Sequence, residues 1–432
     1  MQDEHQSSPG SHVIQLTDHL FRHEAGKLVS ILTGIFGIHR LQLAEDVVQE
    51  ALVRALQTWP FYGIPENPAA WLMQTAKHRA LDLIRRENSF LEKQPKIVAF
   101  IEQRLTDDAE VGPMFEDEIK DDRLRLMFAC CHPQLTQESQ TALALKVLCG
   151  FSPQEIASAF LTTEAAISKR LTRARQRLQE DQVAFEIPSG VELPSRLDVV
   201  LQILYLLFNE GYKASRGDSL IREDLCMEAI RMANLLAGHP AGNQPRTHAL
   251  LALMLLNGAR LKARLNPSGD ILRLEEQDRS LWNAAMIQQG VIHLGRSAQG
   301  DQASEYHLQA GIAACHCLAP NAAATDWPQI LRLYDHLMQI NDSPIIALNR
   351  AVALAKVQGP EKGLAAVESI LDRQPLDSYH LFHAVLGELE GQRKQFQTAA
   401  AHLRMALELT EMASERTLLN KRLQEYEQKP SE

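Results

Sequence analysis

The chain has 432 residues, which at about 150 residues per folded unit points to two to four domains and leaves room for a large core without disulfide staples. Apolar residues make up 45%, charged residues 23% and aromatic residues 6%, a balance that excludes disordered and fibrous chains. The formal net charge of -10 argues against nucleic-acid binding when averaged over the whole chain, so the distribution of charge matters more than its sum.

No apolar run reaches the roughly 18 residues of a membrane span; the richest, Val199 to Phe208, predicts a buried helix. The first residues, Met1 to Ser8, lack the basic start and apolar segment of a secretory signal, so the expected location is the cytoplasm. The six cysteines, Cys130, Cys131, Cys149, Cys226, Cys315 and Cys317, contain no C-x-x-C pair, and neither a zinc ribbon nor a thioredoxin-type site is expected. Cys315-His316-Cys317 sets three ligand types side by side, but neighbours on a helix point about 100° apart, and buried small side chains are expected there. His19 and His23 stand one helical turn apart with no third ligand in view. No metal and no cofactor is expected.

From His12 to Glu87 apolar residues recur at helical spacing, with breaks at Gly37, Pro60, Pro65 and Pro68. Ala44 to Leu56 is an amphipathic helix with an acidic polar face. A proline-bounded loop, Trp59 to Pro68, follows it, and then Ala69 to Arg86 interleaves aromatic and basic residues. Stacking and positive charge together hold unpaired bases, although Trp59 and Trp71 suit a core equally well. From Asn88 to Asp122 the periodicity decays, and Thr106 to Glu118 combines dense acid charge with a Gly-Pro break, the composition of an extended solvated linker.

The sharpest signal lies in the second helical block, Arg123 to Asp181. Thr136 to Leu148 is a helical run. Ser152-Pro153-Gln154-Glu155 is a capping box with proline at the first helical position, opening a short helix that carries Ile156, Ala157 and Phe160. After a turn at Leu161-Thr162, Thr163 caps a third helix with an apolar face of Ile167, Leu171 and Leu178. Lys169, Arg170, Arg173, Arg175 and Arg177 populate the rest, so that Glu164 to Gln179 holds five basic residues against one acidic residue. This is a helix-turn-helix with a basic reading helix. Residues at its N-terminus reach base edges, which nominates Glu164, Ala165, Ser168 and Lys169 as base readers and Arg173, Arg175 and Arg177 as phosphate clamps. A solvated amphipathic helix is the alternative.

After Ile187-Pro188-Ser189-Gly190 the chain stays rich in Ala and Leu to its end, with no sustained period-2 alternation, so the expected fold class is all-α. Asn349 to Leu354 with Gly363 to Val367 resembles Phe382 to Gly387 with Thr398 to His402. Ala351 to Ala384 is 33 positions and Ala366 to Ala400 is 34, the period of tetratricopeptide helix pairs. Helices at Glu305 to Leu318 and Trp327 to Ile340 extend the stack; ordinary antiparallel helix packing is the alternative.

Over about the first 185 residues both blocks resemble an RNA polymerase sigma factor of the sigma-70 family, extracytoplasmic-function (ECF) type. The resemblance implies that Asp46, Gln49 and Glu50 contact the β′ clamp helices of core RNA polymerase. It places a flipped base of the minus-10 element in the loop from Phe61 and Tyr62 to Pro65, and the rest of that strand along Trp71, Lys77, His78 and Arg79. His78 stands where many members carry Asn, so the minus-10 sequence does not transfer. The second block resembles the minus-35 reader, with Thr163, Glu164, Ala165, Ser168, Lys169, Arg170, Arg173, Arg175 and Arg177 on DNA and the domain on the polymerase β flap. The implied linker lies in the polymerase's RNA path; a plain tether fits its composition as well.

The remaining residues resemble the subgroup with a helical, tetratricopeptide-like C-terminal extension, marked by Asp121 to Pro133 and Leu204 to Tyr212. That implies an extension which sets activity, with a protein or small-molecule partner of its own. The expected domains are 12–87, a linker at 88–122, 123–185, and the extension at 190–432. Core polymerase and promoter DNA are the implied partners, with no membrane and no enzymatic activity. A helix-turn-helix regulator acting without polymerase is the closest rival. Gly217-Asp218-Ser219-Leu220 and Asp377-Ser378-Tyr379-His380 spell blocks of a serine esterase. Helical surroundings and a missing Gly-x-Asn-Asp block leave no oxyanion hole, so the match is read as coincidence.

Overall fold

The computed structural model describes residues 25–34, 36–87, 121–160, 162–180, 193–215, 220–300, 302–370, 374–377 and 379–429. Among these residues all regular structure is helical, apart from one isolated bridge between Leu265 and Ile271. The chain divides into two compact units, residues 1–203 with 239–241, and residues 204–238 with 242–432. The expected linker lies outside the described residues from 88 to 120, as do His19, His23, Gly217 to Ser219 and Ser378.

The first unit contains α1 (25–34), α2 (Leu41–Tyr62), α3 (Pro68–Glu87), α4 (Asp122–Cys130), α5 (Gln137–Leu148), α6 (Pro153–Ala159) and α7 (Glu164–Glu180). Helix α8 (Leu193–Tyr212) contributes residues to both units. Along α2 the buried residues Leu41, Ala44, Val47, Val48, Ala51, Leu52 and Ala55 recur at intervals of three and four, making one apolar stripe.

Pro60 does not break this helix as its residue type suggested. It sits inside the last turn, where few backbone bonds remain to be lost. The helix ends instead at Gly63, whose φ of 85° suits a residue without a Cβ, and the Gly63 N–H donates to the Trp59 carbonyl at 3.0 Å. The loop is therefore Gly63 to Asn67, with the Asn67 side chain accepting from Ala70 N–H at 3.0 Å to start α3. Gly26 brings α1 against the end of α5: a Cβ there would lie 2.4 Å from the Leu148 carbonyl oxygen.

The helix-turn-helix forms as its caps dictate. Thr136 caps α5 by accepting from Ser139 N–H at 3.3 Å. Ser152 and Glu155 close the reciprocal box at 2.6 and 3.1 Å, and Thr163 accepts from Ala166 N–H at 3.3 Å to cap α7. Ile167, Leu171 and Leu178 are buried, joined by Ala174.

The second unit continues with α9 (Glu223–Gly238), α10 (Pro245–Gly258), α11 (Ala284–Ser297), α12 (Glu305–Leu318), α13 (Trp327–Ile340), α14 (Pro344–Gln358), α15 (Pro360–Glu368), α16 (His380–Gln392), α17 (Phe396–Leu409) and α18 (Ala413–Glu427). Neighbours in sequence pack as pairs. A Cβ on Gly363 would meet the Ala355 Cβ at 2.6 Å, and one on Gly387 the Ala399 carbonyl oxygen at 3.1 Å. Small residues thus permit the close approach of α14 to α15 and of α16 to α17. Buried Glu415 on α18 accepts from Thr410 Oγ1 at 2.6 Å and meets Lys213 Nζ at 2.8 Å and His380 Nε2 at 3.1 Å, tying the last helix to the start of the unit.

Cys315, His316 and Cys317 diverge on α12. Cys317 Sγ donates to the Leu256 carbonyl at 3.3 Å, while the His316 ring lies edge-on against Trp327. Among the described residues no group of three or more His, Cys, Asp or Glu could hold a metal ion. Nor is any described helix long and apolar enough to cross a membrane.

Candidate nucleic-acid interface

Burial of Ile167, Leu171, Ala174 and Leu178 turns the opposite face of α7 outward. The structure leaves Thr163, Glu164, Ala165, Ser168 and Lys169 exposed at its N-terminal end, and Arg173 and Arg177 exposed farther along. These are positions from which side chains can meet base edges and phosphates.

Arg170 and Arg175 pair with acidic residues of the same unit. Arg170 pairs with Glu138 at 2.6 Å and lies over the Phe160 ring. Arg175 turns inward, and its Nη2 donates to both carboxylate oxygens of Glu45, at 2.8 and 3.0 Å. Glu45 is only 7% exposed. Burial pushes its carboxyl up, and Arg175 followed by Lys146 pulls it back down. A buried carboxylate needs a counter-charge, so in this structure Arg175 serves Glu45 rather than facing outward as a phosphate clamp. Sequence reasoning missed Glu45; a glutamate amid the apolar stripe of α2 was the available signal.

Asp46, Gln49 and Glu50 are exposed on α2, within five residues of Glu45. Gln42 donates to Asp46 at 2.7 Å. Glu50 and Arg79, nominated for different partners, meet each other: Arg79 Nε donates to Glu50 Oε2 at 2.7 Å.

That pair borders a cleft of about 680 Å³ between α2 and α3, lined also by Trp59, Tyr62, Ile64, Trp71 and His78. Trp59 is buried and meets Trp71 edge to face with ring centroids 5.5 Å apart, whereas Trp71 keeps part of its surface at the cleft. One tryptophan therefore belongs to the core and the other to the lining. Tyr62 at the cleft is 88% exposed and its neighbour Phe61 is 83% exposed, far beyond what folding asks of aromatic residues. His78 is exposed, and Lys77 half-buried. Aromatic faces, a guanidinium and carboxylate acceptors around one cleft suit an unstacked base with its phosphate.

The chain matches the family models for sigma-70 region 2 over residues 20–90, sigma-70 region 4 over residues 125–178, and a family of unknown function, DUF6596, over residues 196–298. An uncharacterized protein of Rhizobium meliloti (strain 1021) is 37% identical over 394 residues, covering 90% of this chain and 92% of that protein. The ECF RNA polymerase sigma factor SigX of Bacillus subtilis (strain 168) is 23% identical over 155 residues, 33% of this chain and 77% of SigX. No solved structure gives a match.

Proposed function

The chain belongs to one family with the Rhizobium meliloti protein along nearly its whole length and carries sigma-70 region 2 and region 4 domains, and from that premise we propose that it is an ECF-type sigma factor directing promoter-specific initiation by core RNA polymerase in the cytoplasm. Sigma-70 domains bind and position; the chain is a non-enzymatic transcription factor.

In this reading Asp46, Gln49 and Glu50 dock on the β′ clamp helices, and the region 4 domain on the β flap. The cleft between α2 and α3 takes a flipped minus-10 base against Phe61, Tyr62 and Trp71, with Lys77, His78 and Arg79 along the strand. Glu164, Ala165, Ser168 and Lys169 read the minus-35 element, and Arg173 and Arg177 clamp phosphates. Arg175 joins them only when its pair with Glu45 opens. The observation that carries the reading is the exposure of the aromatic residues Phe61 and Tyr62 on the domain that matches region 2, and of Lys169, Arg173 and Arg177 on the domain that matches region 4.

The close approach of α14 to α15 at Gly363 and of α16 to α17 at Gly387, beyond the DUF6596 match, supports reading these helices as a tetratricopeptide-like extension that modulates activity through a partner. Cutting the chain after about Glu186 and measuring promoter-specific transcription tests this; unchanged activity refutes it. Reconstitution with core polymerase and sequencing of transcript starts tests the main proposal. Specific starts that depend on this chain are expected. Tight operator binding by the chain alone, with no specific starts, would establish the rival regulator instead.

A further inference from the structure

The connection from α10 to α11 and the end of α12 gather positive charge around one indole in the second unit. The guanidinium carbon of Arg279 lies 4.3 Å, and that of Arg260 5.9 Å, from the Trp282 ring centroid. Arg260 and Trp282 are each more than nine-tenths buried, at 9% and 7% exposed. The backbone carbonyl of His316 accepts from Arg279 Nη1 at 3.1 Å, which brings the His316 residue into the same group.

The acceptors already present are neutral. Arg260 Nη2 donates to Tyr212 Oη at 3.0 Å and Asn257 Oδ1 at 2.6 Å. Arg279 Nη1 donates to the carbonyls of His316 and Ala319 at the end of α12, where the helix dipole favours a cation. Among the described residues no carboxylate pairs with either arginine within 4.0 Å. Arg260 Nε, Arg279 Nη2 and Trp282 Nε1 stay buried with no acceptor, and His316 Nδ1 has no partner.

The first three are N–H donors and cannot satisfy one another. A water molecule could accept from two of them, yet it would leave the buried Arg260 guanidinium, with half-buried Arg279 beside it, without a counter-charge, which is costly in a low-dielectric interior. An anion with several oxygens answers both needs, since guanidinium forks suit phosphate and carboxylate.

We propose that the extension holds a small oxyanion, of the phosphate or carboxylate class, beside Trp282, bound by Arg260 and Arg279 with the Trp282 and His316 ring N–H groups as further donors. The anion links the 259–283 connection to the end of α12, so its concentration sets how firmly these elements are held. The site belongs to the second unit alone and stands independently of the promoter reading.

The test uses the full chain at pH 7.5, titrated with sodium phosphate or sodium acetate, with sodium chloride at matched ionic strength as reference. One of the two oxyanions is expected to raise the unfolding midpoint by several degrees along a saturable curve, and which of them does so identifies the class. Arg260→Gln or Arg279→Gln should weaken that binding at least tenfold, whereas exposed Lys262→Gln should leave it unchanged. In the unmodified chain the His316 imidazole, held down to about 4 by burial and then by Arg260 and Arg279, should titrate at higher pH once the anion is present. This arm decides the matter if the arginine variants do not fold. No saturable shift beyond chloride, an unmoved His316 titration, or full binding retained by both arginine variants overturns the proposal, leaving buried water as the occupant.

Discussion

Arg175→Met keeps most of the aliphatic stem of Arg175 and removes its charge, leaving the Glu45 carboxylate buried without its main partner. The cost has a ceiling, because the carboxylate can escape by taking a proton. From its ordinary value of 4.5 to pH 7, at about 1.36 kcal/mol per pH unit, protonation costs roughly 3.4 kcal/mol. The Arg175 side chain is 25% exposed and Lys146 remains as a weaker counter-charge. Solvent screening therefore brings the expected loss to about 2 kcal/mol at pH 7.

The sign with pH follows. Without Arg175 the folded carboxyl rises further above 4.5, so the variant is most stable below that pH and loses stability as pH climbs. The deficit relative to the unmodified chain should shrink to under about 1 kcal/mol at pH 5.5. Hydrogen exchange of peptides from α2 and α7, corrected for intrinsic rates at the two pH values, measures it. An equal deficit at both pH values, or none at pH 7, would refute the claim that Arg175 exists to neutralise a buried carboxylate.

Tyr62→Ala should slow open-complex formation by the loss of about 1–3 kcal/mol of base stacking with no change in thermal midpoint, since Tyr62 is 88% exposed; permanganate footprinting of the minus-10 strand reads it. Within the reading helix the two classes of contact separate by salt. Arg173→Ala should weaken holoenzyme binding uniformly across promoters and reduce the salt slope by about one, whereas Lys169→Ala should relax preference at one minus-35 position by about 1–3 kcal/mol. In the second unit, burial pushes the Glu415 carboxyl up, but hydrogen bonds from His380, Lys213 and Thr410 bring it down to about 2. Its contribution is present above its ordinary value of 4.5 and is lost as pH falls from there toward 2. Glu415→Gln should therefore flatten that acid limb in pH-dependent thermal scans and cost about 1–3 kcal/mol at neutral pH.

Local chemistry made much of this molecule legible in advance. The apolar stripe of α2, the box closed by Ser152 and Glu155, the cap at Thr163 and the buried face of α7 depend on residues within a turn or two of one another, and helical periodicity records them directly. The helix bounds Glu305–Leu318 and Trp327–Ile340 followed from the same signal. Pro60 was misread because its effect depends on how many turns follow it, which residue type alone does not convey.

Pairings between distant positions were decided only by the tertiary structure. Arg175 and Glu45 are 130 positions apart, and Glu50 and Arg79 are 29 apart; no local pattern marks which lysine or arginine of an amphipathic helix will be drawn inward. The division of labour between Trp59 and Trp71, and the gathering of Arg260 and Arg279 around Trp282, have the same origin. Periodicity tells a helix which face to bury, but the cost of burying a charge depends on what the neighbouring helix places opposite it, and that is settled when the helices meet.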